Sequence, residues 1–215
     1  MLEAFGRCGL RPSAIEQEHL ISARRCVNLM LVDWANMGTP NLWAVDLQTQ
    51  LLAEDDGVYD LSPTTILILD AYISTTDDDG NVTDRIIYPI SRSDYAAFPN
   101  KLTSGPPNVF WFDRLITPTI NLWPVPDDGG PYTLKYYRMR QLQDAAPTQG
   151  QTPDMPYRFL SALCSGWAAK LALTWAPDRA KDLAAQAMAD WSLVTTADRE
   201  QVAIYIRPDL SGYWN

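Results

Sequence analysis

Between residues 13 and 37 the apolar side chains recur at helical spacing: Ile15, His19, Cys26, Met30 and Trp34 share one face, with Val27 and Leu31 beside it. Ser13 and Glu16 have the S-x-x-E spacing of a capping box behind Pro12, and Gly38 and Pro40 supply a stop. A long amphipathic helix is therefore expected over 13–37. Residues 41–52, with Leu42, Trp43, Val45, Leu47 and Leu51, predict a shorter segment, helical or partly extended. From Gly57 the period changes. Val58–Asp60 and Ile66–Ile73 are rich in strand formers, and Asp77–Gly80 offers a turn before Ile86–Ile90, which predicts a hairpin. Ser91–Ala97 predicts one helical turn. Asn108–Phe112, Thr117–Leu122 and Tyr132–Arg140 predict three more strands, the last two joined through Pro126-Asp127-Asp128-Gly129-Gly130.

Residues 141–152 are rich in Gln, Ala, Pro and Thr and read as a linker. Asp154 can cap a helix with Pro156 in its first turn. Phe159–Trp175 is apolar almost all round, with Gly166 and several alanines permitting close backbone approach, and predicts the central buried helix. Pro177 opens another helix, on which Ala180, Leu183, Ala184, Ala187, Met188, Trp191 and Val194 form one stripe. The elements predict an α+β fold: a helical bundle from both ends of the chain (1–56 and 151–202), an inserted antiparallel β unit of five or six strands (57–150), and an extended C-terminal arm (203–215).

Composition narrows the function classes. The chain has 215 residues, 47% of them apolar, enough for a substantial core. Its 26 acidic against 17 basic residues give a formal charge of −9, which repels a phosphate backbone and argues against tight, sequence-independent DNA binding. Cys8, Cys26 and Cys164 are odd in number and widely spaced, and two lie in apolar helical patterns, so they read as reduced thiols in a reducing compartment. Neither a secretory signal nor a membrane span is expected. Eight Trp and ten Tyr include residue types that anchor interfaces, about half of them assigned here to ordinary core packing.

Candidate chemistry is sparse. His19 is the only histidine and lies on an apolar helix face with no serine or cysteine motif beside it, so it reads as a satisfied core or interface residue, not a base. No metal-ligand spacing occurs, and Asp77-Asp78-Asp79-Gly80-Asn81 places its glycine wrongly for an EF-hand. Gly129-Gly130 is followed by Pro131, not by a helix N-terminus, so no phosphate loop and no cofactor are expected. Glu54, Asp55 and Asp56, or Asp127 and Asp128, could pair as glycosidase carboxylates, but they sit in solvated turn sequence. Tyr136, Arg138 and Arg140 fall on one face of a strand and Lys135, Tyr137 and Met139 on the other; the first set reads as a protein interface, with a nucleic-acid surface as the alternative.

In order, Asn28-Leu-Met-Leu-Val-Asp-Trp-Ala-Asn-Met-Gly38 with Asn41-Leu42-Trp43, Tyr59-Asp-Leu-Ser-Pro63, Ile90-Ser-Arg-Ser-Asp-Tyr95, Leu122-Trp-Pro-Val-Pro126 with Tyr132–Arg140, and Asp154-Met-Pro-Tyr-Arg-Phe-Leu160 resemble the head-to-tail connector (adaptor, tail accessory or head-completion) proteins of tailed bacteriophages. The resemblance covers nearly all of residues 13–200. It implies a non-enzymatic subunit of a ring, usually dodecameric, at the head–tail junction of the virion, assembled in the host cytoplasm. Its implied partners are the portal protein above, like subunits alongside, a nozzle or other tail protein below, and DNA that passes without specific binding. By position it assigns portal gripping to the arm, with Tyr205, Ile206, Arg207, Leu210, Tyr213 and Trp214 as the contact residues. Two other classes stay open: a virion-carried peptidoglycan hydrolase using Glu54 or its neighbours, and a nucleic-acid-binding module centred on Arg138 and Arg140.

Overall fold

The computed structural model describes residues 1–37, 42–77, 79–142 and 154–198. A short helix, α1 (Leu2–Arg7), precedes the first expected element and buries Phe5. The expected helix over 13–37 is divided. Pro12–Ala14 forms a 3-10 turn, Ile15 is extended, and α2 runs Gln17–Asn36. Its cap is Glu16, not Ser13: the Glu16 N–H donates to His19 Nδ1 at 3.1 Å, so the backbone of residue 15 shifts the box by three positions.

A 3-10 turn at Leu42–Ala44 leads into β1 (Val45–Leu51), followed by β2 (Val58–Asp60), β3 (Thr65–Thr76), β4 (Val82–Pro89), α3 (Arg92–Ala97), β5 (Val109–Asp113), β6 (Thr119–Trp123) and β7 (Tyr132–Arg140). The strands form one sheet of seven in the order β1-β7-β3-β4-β5-β6-β2. The β3–β4 hairpin has the expected turn, in which Asp77 Oδ1 accepts from the N–H groups of Asp79 (3.1 Å) and Asn81 (2.7 Å). Three expectations need correction. The sheet starts at residue 45, inside the segment assigned to the helical unit, because β1 pairs with β7 along its whole length, Val45 opposite Met139 and Leu51 opposite Thr133. One pairing, β4 with β5, is parallel. And β6 and β7 are not a hairpin: β6 lies between β5 and β2, and β7 between β1 and β3.

Connectivity explains why this sheet curls. The two edge strands are consecutive in the chain, and the seven Cα steps from Leu51 to Val58 reach at most about 25 Å. The edges of a flat seven-stranded sheet would stand about 29 Å apart. The turn is pinned by the Tyr59 hydroxyl, which accepts from the Ala53 N–H at 3.0 Å and donates to the Asp56 carbonyl at 2.7 Å. The curl encloses a core drawn from six strands, with Tyr59, Ala71, Ile73, Ile87, Phe110, Ile120, Leu122, Leu134 and Tyr136 inside.

Beyond the sheet, Tyr157–Phe159 turns into α4 (Leu160–Trp175), and α5 (Ala180–Ala197) follows. Helix α4 is the central element and packs on α1, α2 and α5. Its approach to α2 depends on Gly166, where a Cβ would lie 2.7 Å from Met30 Sδ and 3.3 Å from Trp34 Cζ2. Trp34 in turn stacks on Trp191 of α5, ring centroids 4.2 Å apart. Met188, expected on one stripe of α5 with Leu183 and Trp191, is 76% exposed, while Leu183 is buried. Val27, Met30, Trp34, Ala162 and Leu163 from the helices cluster with Ala44, Met139 and Leu142 from the ends of the sheet, so helices and strands share a core. Leu142, in the expected linker, is buried there; residues 143–153 lie outside the described residues.

Candidate docking surfaces

The interior of the sheet claims the residues expected at an interface. On β7, Tyr132, Leu134, Tyr136 and Arg138 alternate towards the core, leaving Tyr136 5% and Arg138 7% exposed. Arg138 clasps Asp46, its register partner on β1, through Nε–Oδ1 (2.8 Å) and Nη2–Oδ2 (3.3 Å), and donates from Nη1 to Thr65 Oγ1 at 2.9 Å. Burial disfavours the charged form of Asp46, yet the hydrogen bonds and charge of Arg138, helped by Gln48, hold its carboxyl below the usual range. Arg140 makes a second two-pronged pair, with Asp154, whose carboxylate binds this arginine instead of capping a helix. The hydrogen bond that Arg140 donates to Asp154 raises the Arg140 pKa further. Tyr136, Arg138 and Arg140 therefore brace β1, β7 and the start of the C-terminal helices. Tyr136 and Arg138 are buried within the chain, while Arg140 keeps part of its side chain exposed beside Asp154.

The opposite face of these strands is the open one. Leu47 lies opposite Tyr137, and Tyr72 of β3 lies between Lys135 and Ile86, so Leu47, Tyr137, Tyr72, Ile86 and then Tyr88 cross four neighbouring strands. Lys135 Nζ donates to Ser74 Oγ at 3.2 Å and sits 5.7 Å from the Tyr72 ring centre. Asp70, Ala71, Tyr72, Asp84 and Ile86 line an open depression of about 320 Å³. By contrast, the outer face of β5 and β6 is roofed by α3: Phe98 stacks on Trp123 with centroids 3.9 Å apart, and Tyr95 lies 5.3 Å from Trp111. A signal for this choice of faces was present in the sequence. Tyr132, Leu134 and Tyr136 are all large and apolar in one phase of β7, while Thr133, Lys135 and Tyr137 are mixed.

The carboxylates considered for hydrolysis meet at one end of the sheet. The Glu54–Asp56 turn touches the Asp127–Asp128 turn through the Asp55 N–H, which donates to the Pro126 carbonyl at 3.0 Å. Asp127 accepts from the Tyr132 hydroxyl at 2.6 Å, and the others are open to water. Burial and that hydrogen bond push the Tyr132 pKa up to about 12. Among the described residues no group of three or more His, Cys, Asp or Glu is placed to hold a metal ion. His19 is buried between Trp175 and Phe5, its Nδ1 engaged by the Glu16 N–H, as a satisfied core histidine should be. All three cysteines are free, and Cys8 donates to the Ala168 carbonyl at 3.4 Å. No helix among the described residues is long and apolar enough to cross a membrane. The arm residues Tyr205, Ile206, Arg207, Leu210, Tyr213 and Trp214 lie outside the described residues.

Compared with known proteins, the chain matches the family described as SU10 adaptor protein over residues 15–207. No curated protein matches it.

Proposed function

The chain belongs to the SU10 adaptor protein family and is a structural protein of the phage virion, and from that premise we propose that it is one subunit of a head–tail connector ring. In this reading the ring, a dodecamer, docks on the portal, extends the DNA channel and carries the nozzle or another downstream tail protein. The observation that carries it is the family match, which spans residues 15–207 and so takes in the whole sheet and helices α2 to α5. Two features support it. An uncovered sheet face crossed by Tyr72, Ile86, Tyr88 and Tyr137 is the composition of a surface that meets another chain. A charge of −9 per subunit gives a conduit that repels phosphate, so packaged DNA slides without being bound. Arg138 and Arg140, paired with Asp46 and Asp154, leave that field uncompensated along β7.

The arm at 203–215, with Tyr205, Ile206, Arg207, Leu210, Tyr213 and Trp214, is proposed as the portal contact, its aromatic and aliphatic side chains anchoring in a groove of the partner. Mixing the purified chain with portal rings of the same phage and imaging the product tests both statements. The full chain should cap the portal with a closed ring, and the chain lacking 203–215 should not. Portal rings left bare by the full chain would overturn the connector reading, and docking unaffected by the truncation would overturn the role of the arm.

A further inference from the structure

The turn between β5 and β6 has the wrong residues for a turn that only reverses the chain. In Arg114-Leu115-Ile116-Thr117-Pro118 only Pro118 is of a type that tight reversals favour, and it stands at the far end from the exposed tip. It presents Leu115 at 59% and Ile116 at 97% exposure, with Arg114 beside them also exposed. No carboxylate pairs with Arg114 among the described residues; its guanidinium rests 5.9 Å from the Phe112 ring centre. An apolar tip with a cation at its base is a knob without a socket.

A socket of matching chemistry lies elsewhere on the same surface. The depression on the outer face of β3 and β4 has apolar walls, Tyr72 and Ile86, either side of the Ala71 backbone, and two carboxylates at its rim, Asp70 and Asp84. Asp84 is partly answered by Ser74 Oγ at 2.6 Å and by Lys135 Nζ at 3.9 Å. Asp70, exposed, has no ion-pair partner among the described residues.

The knob cannot reach its own socket. Strand β5 continues β4's direction, with Val109 level with Tyr88, so Arg114 lies seven residues beyond Ile86 along the strands, roughly 23 Å. A contact that joins two different patches of one molecule is heterologous, and repeated between copies it closes into a ring or extends as a filament. We propose that the Arg114-Leu115-Ile116 turn of one copy seats in the Asp70/Tyr72/Asp84/Ile86 depression of a second copy, the aliphatic tip on Tyr72 and Ile86 and the guanidinium on Asp70. The proposal rests on the reading of the chain as a ring subunit and adds which surfaces meet between neighbours.

The test uses the full chain assembled on portal rings. In the doubly substituted Ile86→Cys/Ile116→Cys chain, mild oxidation should yield a ladder of covalent multimers on a non-reducing gel, whereas either single substitution should leave the chain monomeric on that gel. Asp70→Arg and Arg114→Asp should each weaken ring formation by about fivefold, and the two combined in one chain should restore it. Rings that form without a ladder, or reversals that leave assembly unchanged, overturn the inference while the connector reading stands. Reversals that abolish portal docking but leave free rings intact and ladder-free would assign the depression to a basic segment of the partner instead, and also overturn it. A wild-type chain that forms no ring at all overturns both.

Discussion

Gly166 sets the distance between α2 and α4. Replacing it by alanine gains about 1 kcal/mol in helix propensity but forces a methyl group 2.7 Å from Met30 Sδ, and such overpacking costs about 1–3 kcal/mol. Met30 is buried and has little room to retreat, so the crowding should win. Gly166→Ala is expected to lower the urea midpoint by a net loss of up to about 2 kcal/mol, and Gly166→Val to lower it more. Tyr132 gives a pH signature. Its folded pKa, about 12, stands above the ordinary tyrosine value of about 10, so its contribution is fully present below pH 10 and disappears as pH rises through 12. Alkaline unfolding of Tyr132→Phe, followed by circular dichroism, should therefore show a shallower loss over that window than the wild type. Such residue roles were legible in part. His19 was read as a core or interface residue from its helical phase and the lack of a nucleophile motif beside it, and the structure places it in the core. Arg138 was misread because its burial depends on Asp46, 92 positions away: the apolar phase of β7 marked the inner face, but a charged residue in that phase reads as exposed until its carboxylate partner is in place.

Helix α4 and strand β7 could be read from the chain because an apolar run and a clean alternation carry their own boundaries, and Tyr132–Arg140 was expected to the residue. Strand β1, Val-Asp-Leu-Gln-Thr-Gln-Leu, was ambiguous because its polar positions carry no strand preference until β7 pairs with them. The expected β6–β7 hairpin failed for a related reason. Pro126–Gly130 does turn the chain, but a turn does not select the strand's neighbour, and the curl gives β6 to β2 and β7 to β3. At this level α3 is the element whose role is most open to test. It is held on the sheet by the Phe98–Trp123 stack together with the Tyr95–Trp111 contact, and a ring pair of that kind contributes about 0.5–1.5 kcal/mol beyond the area it covers. Phe98→Ala should loosen α3 first, seen as a red shift in tryptophan emission and faster proteolysis near residue 98, ahead of any global unfolding.

Taken as a whole, the molecule concentrates exposed carboxylates at one end of the sheet and engages its inner arginines, so electrostatics and packing point the same way. The purified chain should show no measurable affinity for duplex DNA at 150 mM salt in a filter-binding assay, and retention with a steep salt slope would overturn the account of its charge. Zymography on peptidoglycan should show no clearing, and lysis abolished by Glu54→Gln would reassign the acidic end as a catalytic site. The α+β class was legible at this scale from the switch between helical and strand periods. The sharing of one core between sheet and helices was not, because Ala44, Met139 and Leu142 look like ordinary end-of-element residues until the fold collects them.

The long-range seam between β1 and β7 also sets a timetable. Val45 cannot meet Met139, nor Asp46 its arginine, until the whole intervening stretch has left the ribosome, and at about 5–20 residues per second that is a wait of roughly 5–20 s. Helix α2 waits longer still for α4. Through that interval the nascent chain carries an unpaired first strand and an apolar helix face, so synthesis rate and holdase supply, more than final stability, should govern how much of it reaches the folded form.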